Sequence, residues 1–212
     1  LLTLSGHTGW VRKVVFSPDG QLLASSSEDQ TIKLWRMSDG QCLYTLTEHT
    51  GSTYGLDFSP DGQFLVSCGN DCTIRIWLLS NGSCQGVLTG HTAGILTVNF
   101  SPNGQLLASC GFDNTIRLWD VVNQQCIRII TEHRHWVGGV QFSPDGERLV
   151  SASCDNTVRI WQVDTGDCLT ILSEHSQWVW KAVWSPDGTK IASGGEDQTI
   201  RLWDSRTGNC LQ

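Results

Sequence analysis

The chain has 212 residues, 14 basic against 21 acidic side chains and a net charge of −7, which opposes the phosphate attraction that dominates nucleic-acid binding. A hydrophobic content of 39% with ten Trp excludes a disordered segment, and no apolar run approaches the roughly 20 residues of a membrane helix. Leu1 to Thr8 has neither the charged start nor the apolar centre of a signal peptide, so the reading is of a soluble, cytoplasmic chain without nucleic-acid or membrane partners.

The stretch from Gly6 to Trp35 reads GHTGWVRKVVFSPDGQLLASSSEDQTIKLW, and the rest of the chain copies it. His7 is followed by His49, His91, His133 and His175, and Trp35 by Trp77, Trp119, Trp161 and Trp203, each at a step of 42. Five such units account for 210 of the 212 residues and leave no room for a linker, so residues 1–212 form one array. Within a unit the period is two. Val11, Val14, Val15 and Phe16 form a first β-rich run, and Ser17-Pro18-Asp19-Gly20 offers Pro and Gly where a tight hairpin turn needs them. A second strand runs from Gln21 to Ser26, Glu28-Asp29-Gln30 turns the chain, and Thr31 to Trp35 alternates as a third. Ser38-Asp39-Gly40 makes the next turn and Cys42 to Leu46 the fourth strand. Each unit is thus a four-stranded antiparallel meander, and such sheets, apolar on both faces, pack face to face in a β-propeller. A helical reading fails because turns with Gly recur too often for helices of ordinary length.

Cys42, Cys84, Cys126, Cys168 and Cys210 occupy one repeat position, so they sit at equivalent sites of successive units, out of bonding reach. Cys68, Cys72, Cys110 and Cys154 complete an odd count with no Cys-x-x-Cys and no His spacing that would hold zinc. The expectation is reduced, mostly buried thiols in a reducing compartment, with no metal and no cofactor.

These residues closely resemble the WD40 family: a Gly-His start, a Ser-Pro-Asp-Gly turn, an Asp before Thr-Ile and a closing Trp-Asp, over essentially the whole chain. Departures are small. Glu replaces Gly before His49, His133 and His175, the closing Asp survives as Asp120 and Asp204, and Asn103 replaces Asp in one turn. The resemblance implies an all-β propeller of five four-stranded blades, with strands numbered from the axis outward, serving as a docking platform rather than a catalyst. The near-uniform repeats are similar to those appended to bacterial signalling ATPases, which implies a sensor or scaffold segment of a larger multidomain protein.

His7, Ser25 and Asp29 carry the ingredients of nucleophilic catalysis. The same trio recurs as His49, Ser67, Asp71; His91, Ser109, Asp113; His133, Ser151, Asp155; and His175, Ser193, Asp197, always with a Trp six residues after the Asp. By resemblance, these groups with Trp35, Trp77, Trp119, Trp161 and Trp203 form a hydrogen-bonded chain inside each blade. Five equivalent nucleophiles would have no precedent, and each would need its own oxyanion hole, so the structural role is expected and no enzyme activity.

Positions that vary between copies are free to serve binding. In the family's geometry the His loop and the Asp turn share one face. Three variable registers fall there: Trp10, Ser52, Gly94, Trp136, Trp178; Arg12, Tyr54, Leu96, Gly138, Trp180; and Glu28, Asn70, Phe112, Cys154, Glu196. From them Trp10, Arg12, Glu28, Tyr54, Trp136, Trp178, Trp180 and Glu196 are expected to form a protein or peptide site, since Trp, Tyr and Arg are enriched at binding hot spots. The structural alternative has the Trp side chains as lids against neighbouring loops. Ring closure would place Trp10 and Arg12 beside Trp178 and Trp180 in one aromatic arc, and the glutamates would suit a peptide with apolar anchors and a basic residue. The second functional reading is a sugar or other small ligand stacked on the Trp rim, although Ser52 and Gly94 interrupt any set of five equal pockets.

At the ends, Leu1 to Leu4 match the outer strand begun at Leu43 and are expected to complete the last blade by pairing with Thr199 to Asp204. That pairing could form within one chain, closing five blades, or between chains by strand sharing; otherwise the array is an open segment of a larger propeller. The family usually has seven or eight blades.

Overall fold

The structure, a computed structural model, describes residues 2–211, and among these the regular elements are strands, arranged in five antiparallel sheets. The first sheet holds β1 (Val11–Phe16), β2 (Leu22–Ser27), β3 (Ile32–Arg36) and β4 (Cys42–Leu46) in chain order. The second holds β5 (Thr53–Phe58), β6 (Phe64–Gly69), β7 (Thr73–Leu78) and β8 (Ser83–Thr89), and the third β9 (Ile95–Phe100), β10 (Leu106–Gly111), β11 (Ile116–Asp120) and β12 (Gln125–Ile130). The fourth holds β13 (Val137–Phe142), β14 (Arg148–Ser153), β15 (Val158–Gln162) and β16 (Cys168–Leu172), and the fifth has three strands, β17 (Val179–Trp184), β18 (Lys190–Gly195) and β19 (Ile200–Asp204).

The turns explain why the strands stop where they do. Gly20 takes φ 71° and donates its N–H to Ser17 O, while the Asp19 carboxylate accepts from the Ser17 hydroxyl and the Gln21 N–H. This closes the hairpin without help from the rest of the fold, and every unit repeats it, with the Asn103 amide oxygen in place of the carboxylate in the third. After Asp29 and each of its four repeat counterparts the chain passes through a left-handed residue, at Gln30, Cys72, Asn114, Asn156 and Gln198, where φ lies between 62° and 70°.

One sheet cannot bury both of its apolar faces, and neighbours do it for each other. The cluster of Val66, Cys68, Ile74, Ile76 and Leu88 from the second sheet closes on Ile95, Val98, Phe100, Leu107 and Trp119 from the third, and each of the other three junctions is built in the same way. A side chain such as Leu56 or Ile116, fully buried there, contributes about 1.5–3 kcal/mol. The inner strands pack in the order β1, β5, β9, β13, β17 around a central lumen.

The five sheets form an open fan. Val14 and Phe16 are 55% and 62% exposed, whereas their counterparts Leu56 and Phe58 are at 0% and 6%. On the other end face Ile200 is 78% exposed, against 0% for Ile116. The expected completion of the last blade by the N-terminal strand is not formed either, because the edge of β19 is already taken: Cys210 bridges Trp203, and Leu211 N–H donates to Leu202 O at 2.7 Å. Leu1 lies outside the described residues, and Leu2 and Leu4 sit against Gly40 in the first sheet's β3–β4 turn. Tyr44 and Leu46 of the first sheet touch Gly82 of the second in the same way, so the N-terminal segment lies where the outer strand of a preceding blade would lie.

Candidate docking face

Each blade is pinned by the four-residue chain expected from its sequence. In the third, Trp119 Nε1–H donates to Ser109 Oγ at 2.8 Å, Ser109 Oγ lies 2.7 Å from His91 Nε2, and His91 Nδ1 lies 2.7 Å from Asp113 Oδ2. The other four blades repeat these bonds within 0.1 Å. A carboxylate accepts only, so Nδ1 carries the proton and the serine hydroxyl donates to Nε2. Burial pushes the Asp113 carboxyl up, but the hydrogen bond from His91, with donors from Thr92 N–H and the Thr115 hydroxyl, holds it well below the usual carboxylate range. The serine hydroxyls, at 0–4% exposure, are closed to a substrate.

The same frame sets the variable positions on one face. The N–H of Glu28, Asn70, Phe112, Cys154 and Glu196 donates to the carbonyl of Trp10, Ser52, Gly94, Trp136 and Trp178 respectively, at 2.8–3.0 Å, so two of the variable registers are clamped together in every blade. The third register is a β-bulge. Pairing of β1 with β2 skips between Val11 and Lys13, which leaves Arg12 as the extra residue, and β5, β9, β13 and β17 skip at Tyr54, Leu96, Gly138 and Trp180. A bulge re-aims its side chain, here into the mouth of the lumen.

On this face an aromatic arc crosses the third, fourth and fifth blades. Phe112 meets Trp136 at 4.9 Å between ring centroids, Trp136 meets Trp178 at 6.0 Å, and Trp178 meets Trp180 at 5.9 Å, all edge to face. His135 touches both Trp136 and Trp178. Trp136 and Trp180 remain 36% exposed after these contacts, so the rings support one another and still offer surface.

Two comparisons with known proteins bear on this geometry. Residues 69–212 match the family model for the IFT122 first beta-propeller, and residues 1–36 and 40–77 match the WD domain, G-beta repeat. The chain belongs to the WD40-repeat β-propeller family. Among its relatives are nuclear distribution protein nudF 1 of Talaromyces marneffei, 50% identical over 44 residues (20% of this chain, 10% of that protein), and small ribosomal subunit protein RACK1z of Arabidopsis thaliana, 50% identical over 42 residues (20% and 13%). Apoptotic protease-activating factor 1 of Danio rerio is 71% identical over 31 residues, 15% of this chain and 2% of that protein. The matched segments thus span about an eighth or less of these relatives.

Against the WD40 pattern, the arc departs from expectation at one end. Trp10 is 70% exposed and stacks with the Arg12 guanidinium, 5.1 Å from its ring, rather than with Trp178, because the fan stays open where closure was expected to join them. Phe112 and His135 take the place expected for Trp10 and Arg12; Phe112 stood in a variable register, and its aromatic neighbour one blade on was the signal. Arg12 is ion-paired with Glu28, so that glutamate is not a free acidic rim. Glu196 stays exposed at the edge of the arc, and Tyr54 lines the lumen with Arg12 and Trp180.

The lumen also holds two cations that the sequence reading passed over, Lys13 and Lys181, each directly after a bulge residue. Lys181 Nζ donates to Thr97 Oγ1 at 2.9 Å, and its enclosure by the blades, with the like charge of Lys13, lowers its ammonium below the ordinary range. Deeper in, burial raises the Asp57 carboxyl, partly offset by donors from Phe100 N–H and Asn99 and by the charge of Lys13. Burial likewise pushes the Cys68 thiol up to about 12. Of the cysteines, Cys68, Cys110 and Cys154 are buried, while Cys42 is exposed on β4 because outer strands face solvent.

Proposed function

We propose that this chain is a non-catalytic docking module that receives a protein or peptide partner on the face bearing the His and Asp turns. The observation that carries the reading is the contrast between two sets of residues. The His, Ser, Asp and Trp chains are the same in every blade and closed to substrate, whereas the positions of Trp136, Trp178 and Trp180 vary between blades, and Trp136 and Trp180 keep exposed surface. Rigid aromatic anchors of this kind, surrounded by polar turns, suit a protein interface. The sugar reading has less support, since the aromatic contacts are confined to three blades and are not repeated as equal pockets.

Several finer points belong to the same reading. A sensor or scaffold segment within a larger multidomain cytoplasmic protein agrees with the small share of each relative that the chain matches. Association between copies would use the uncovered end faces. To test the docking face, a peptide ligand is selected by display and its affinity measured for Trp178→Ala, Trp136→Ala and a control on the opposite face, Asp164→Ala. The Trp changes should weaken binding by about tenfold or more, as hot-spot truncations do. Binding that survives both and falls with Asp164→Ala would place the site on the wrong face.

A further inference from the structure

The charge of the lumen adds a chemical preference to the docking face. The chain as a whole is acidic, at −7, yet the cavity of about 500 Å³ at the mouth of the lumen is lined by Arg12, Lys13 and Lys181 beside Tyr54, Leu96 and Trp180. Their counter-charges are unequal. Arg12 is matched by Glu28. Lys13 forms no hydrogen bond or ion pair among the described residues and has only the longer-range attraction of the buried Asp57. Lys181 has a hydroxyl partner, Thr97, and no carboxylate partner among the described residues. Two ammonium groups therefore face one partly open cavity, and the buried Asp57 acts only at longer range on Lys13.

The backbone keeps that space open. Gly139 is the counterpart of Lys13 and Lys181 in the fourth blade, and a Cβ there would stand 3.1 Å from Lys181 Cδ and 3.2 Å from Trp180 O. A Cβ on Gly138 would stand 2.8 Å from Trp180 O. Two consecutive residues without side chains thus leave room for the indole and the ammonium together.

We propose that the lumen between Lys13 and Lys181 takes an acidic side chain, an aspartate or glutamate carboxylate, from the peptide docked on the aromatic face. The inference rests on the docking reading and reverses the peptide charge expected from the rim glutamates. A carboxylate entering there would accept charge-assisted hydrogen bonds from two donors that hold no other anion, and would relieve their mutual repulsion. Trp180 and Leu96 would cover the methylene groups of the same side chain. In a cavity walled by protein the attraction is stronger than at a flat surface, though it still weakens with salt.

The test uses the full 212-residue chain with acetylated pentaglutamate and pentalysine peptides, followed by Trp fluorescence and by NMR of the lysine ε-positions. Pentaglutamate should bind and pentalysine should not, binding should weaken with added salt, and occupancy should raise the titration of Lys181 towards the ordinary lysine range. Lys13→Met and Lys181→Met should each weaken pentaglutamate about tenfold, the loss of one charge-assisted hydrogen bond, with the thermal midpoint unchanged. If one variant fails to fold, the other and the Lys181 titration still decide. Absence of pentaglutamate binding, equal binding of pentalysine, or indifference to both Lys changes would overturn the proposal. The display-selected peptide separates the two readings: loss with Trp178→Ala but not with either Lys change leaves the docking face standing and this inference fallen, whereas the converse leaves the lumen site and removes the arc.

Discussion

A serine hydroxyl that accepts from Trp119 and donates to His91 has both of its roles filled, and the imidazole between Ser109 and Asp113 has both nitrogens engaged. Removing the middle member strands two buried partners. His91→Ala should therefore cost about 1–3 kcal/mol per stranded group, read as a lower denaturant midpoint. The aspartates add a pH dependence. Their folded pKa values lie below the unfolded value of about 3.9, so the unfolded chain binds more protons in between, and their contribution is complete above about pH 4 and lost as pH falls below it. Asp113→Asn should flatten the acid limb of the stability curve and leave its shape above about pH 5 unchanged, checked by urea unfolding across pH. This layer was legible because all five units spell it identically. Lys13 and Lys181 were not, because strict alternation puts residues 12 and 13 on opposite faces, and the bulge that brings both to the lumen leaves no mark in composition.

Turns and strands were the most readable level, since Ser17-Pro18-Asp19-Gly20 and its copies supply their own closing bonds. The turn after each Asp was readable as a turn but not in its handedness. Cys72 and Asn114 hold the same left-handed conformation, at φ 62° and 65°, and Asn tolerates it better. Cys72→Asn should raise stability by a few tenths to about 1 kcal/mol, measured as a higher thermal midpoint, while Asn114→Ala should lower it by a similar amount. No change in either would mean that the turn is held by its surroundings rather than by its own preference.

For the whole molecule, the repeat count was legible and the opening of the fan was not, because closure depends on the angle between neighbouring sheets, which no residue pattern spells out. The open fan makes equivalent positions unequal. Ile116→Lys would bury a charge at a sealed junction and should unfold the protein, whereas Ile200→Lys, at an end face 78% exposed, should leave the midpoint nearly unchanged. Equal damage from both would show that the end faces are covered in solution. Across the fan, the account assigns stability to the repeated chain inside each blade and recognition to the aromatic face that varies between blades. The most direct test measures thermal midpoint and affinity for the display-selected peptide side by side in His91→Ala and Trp178→Ala. The account predicts a lowered midpoint with near-normal affinity for His91→Ala, and a near-normal midpoint with affinity reduced about tenfold for Trp178→Ala. The reverse pattern, binding lost with His91→Ala in a fully folded protein and stability lost with Trp178→Ala, would contradict it.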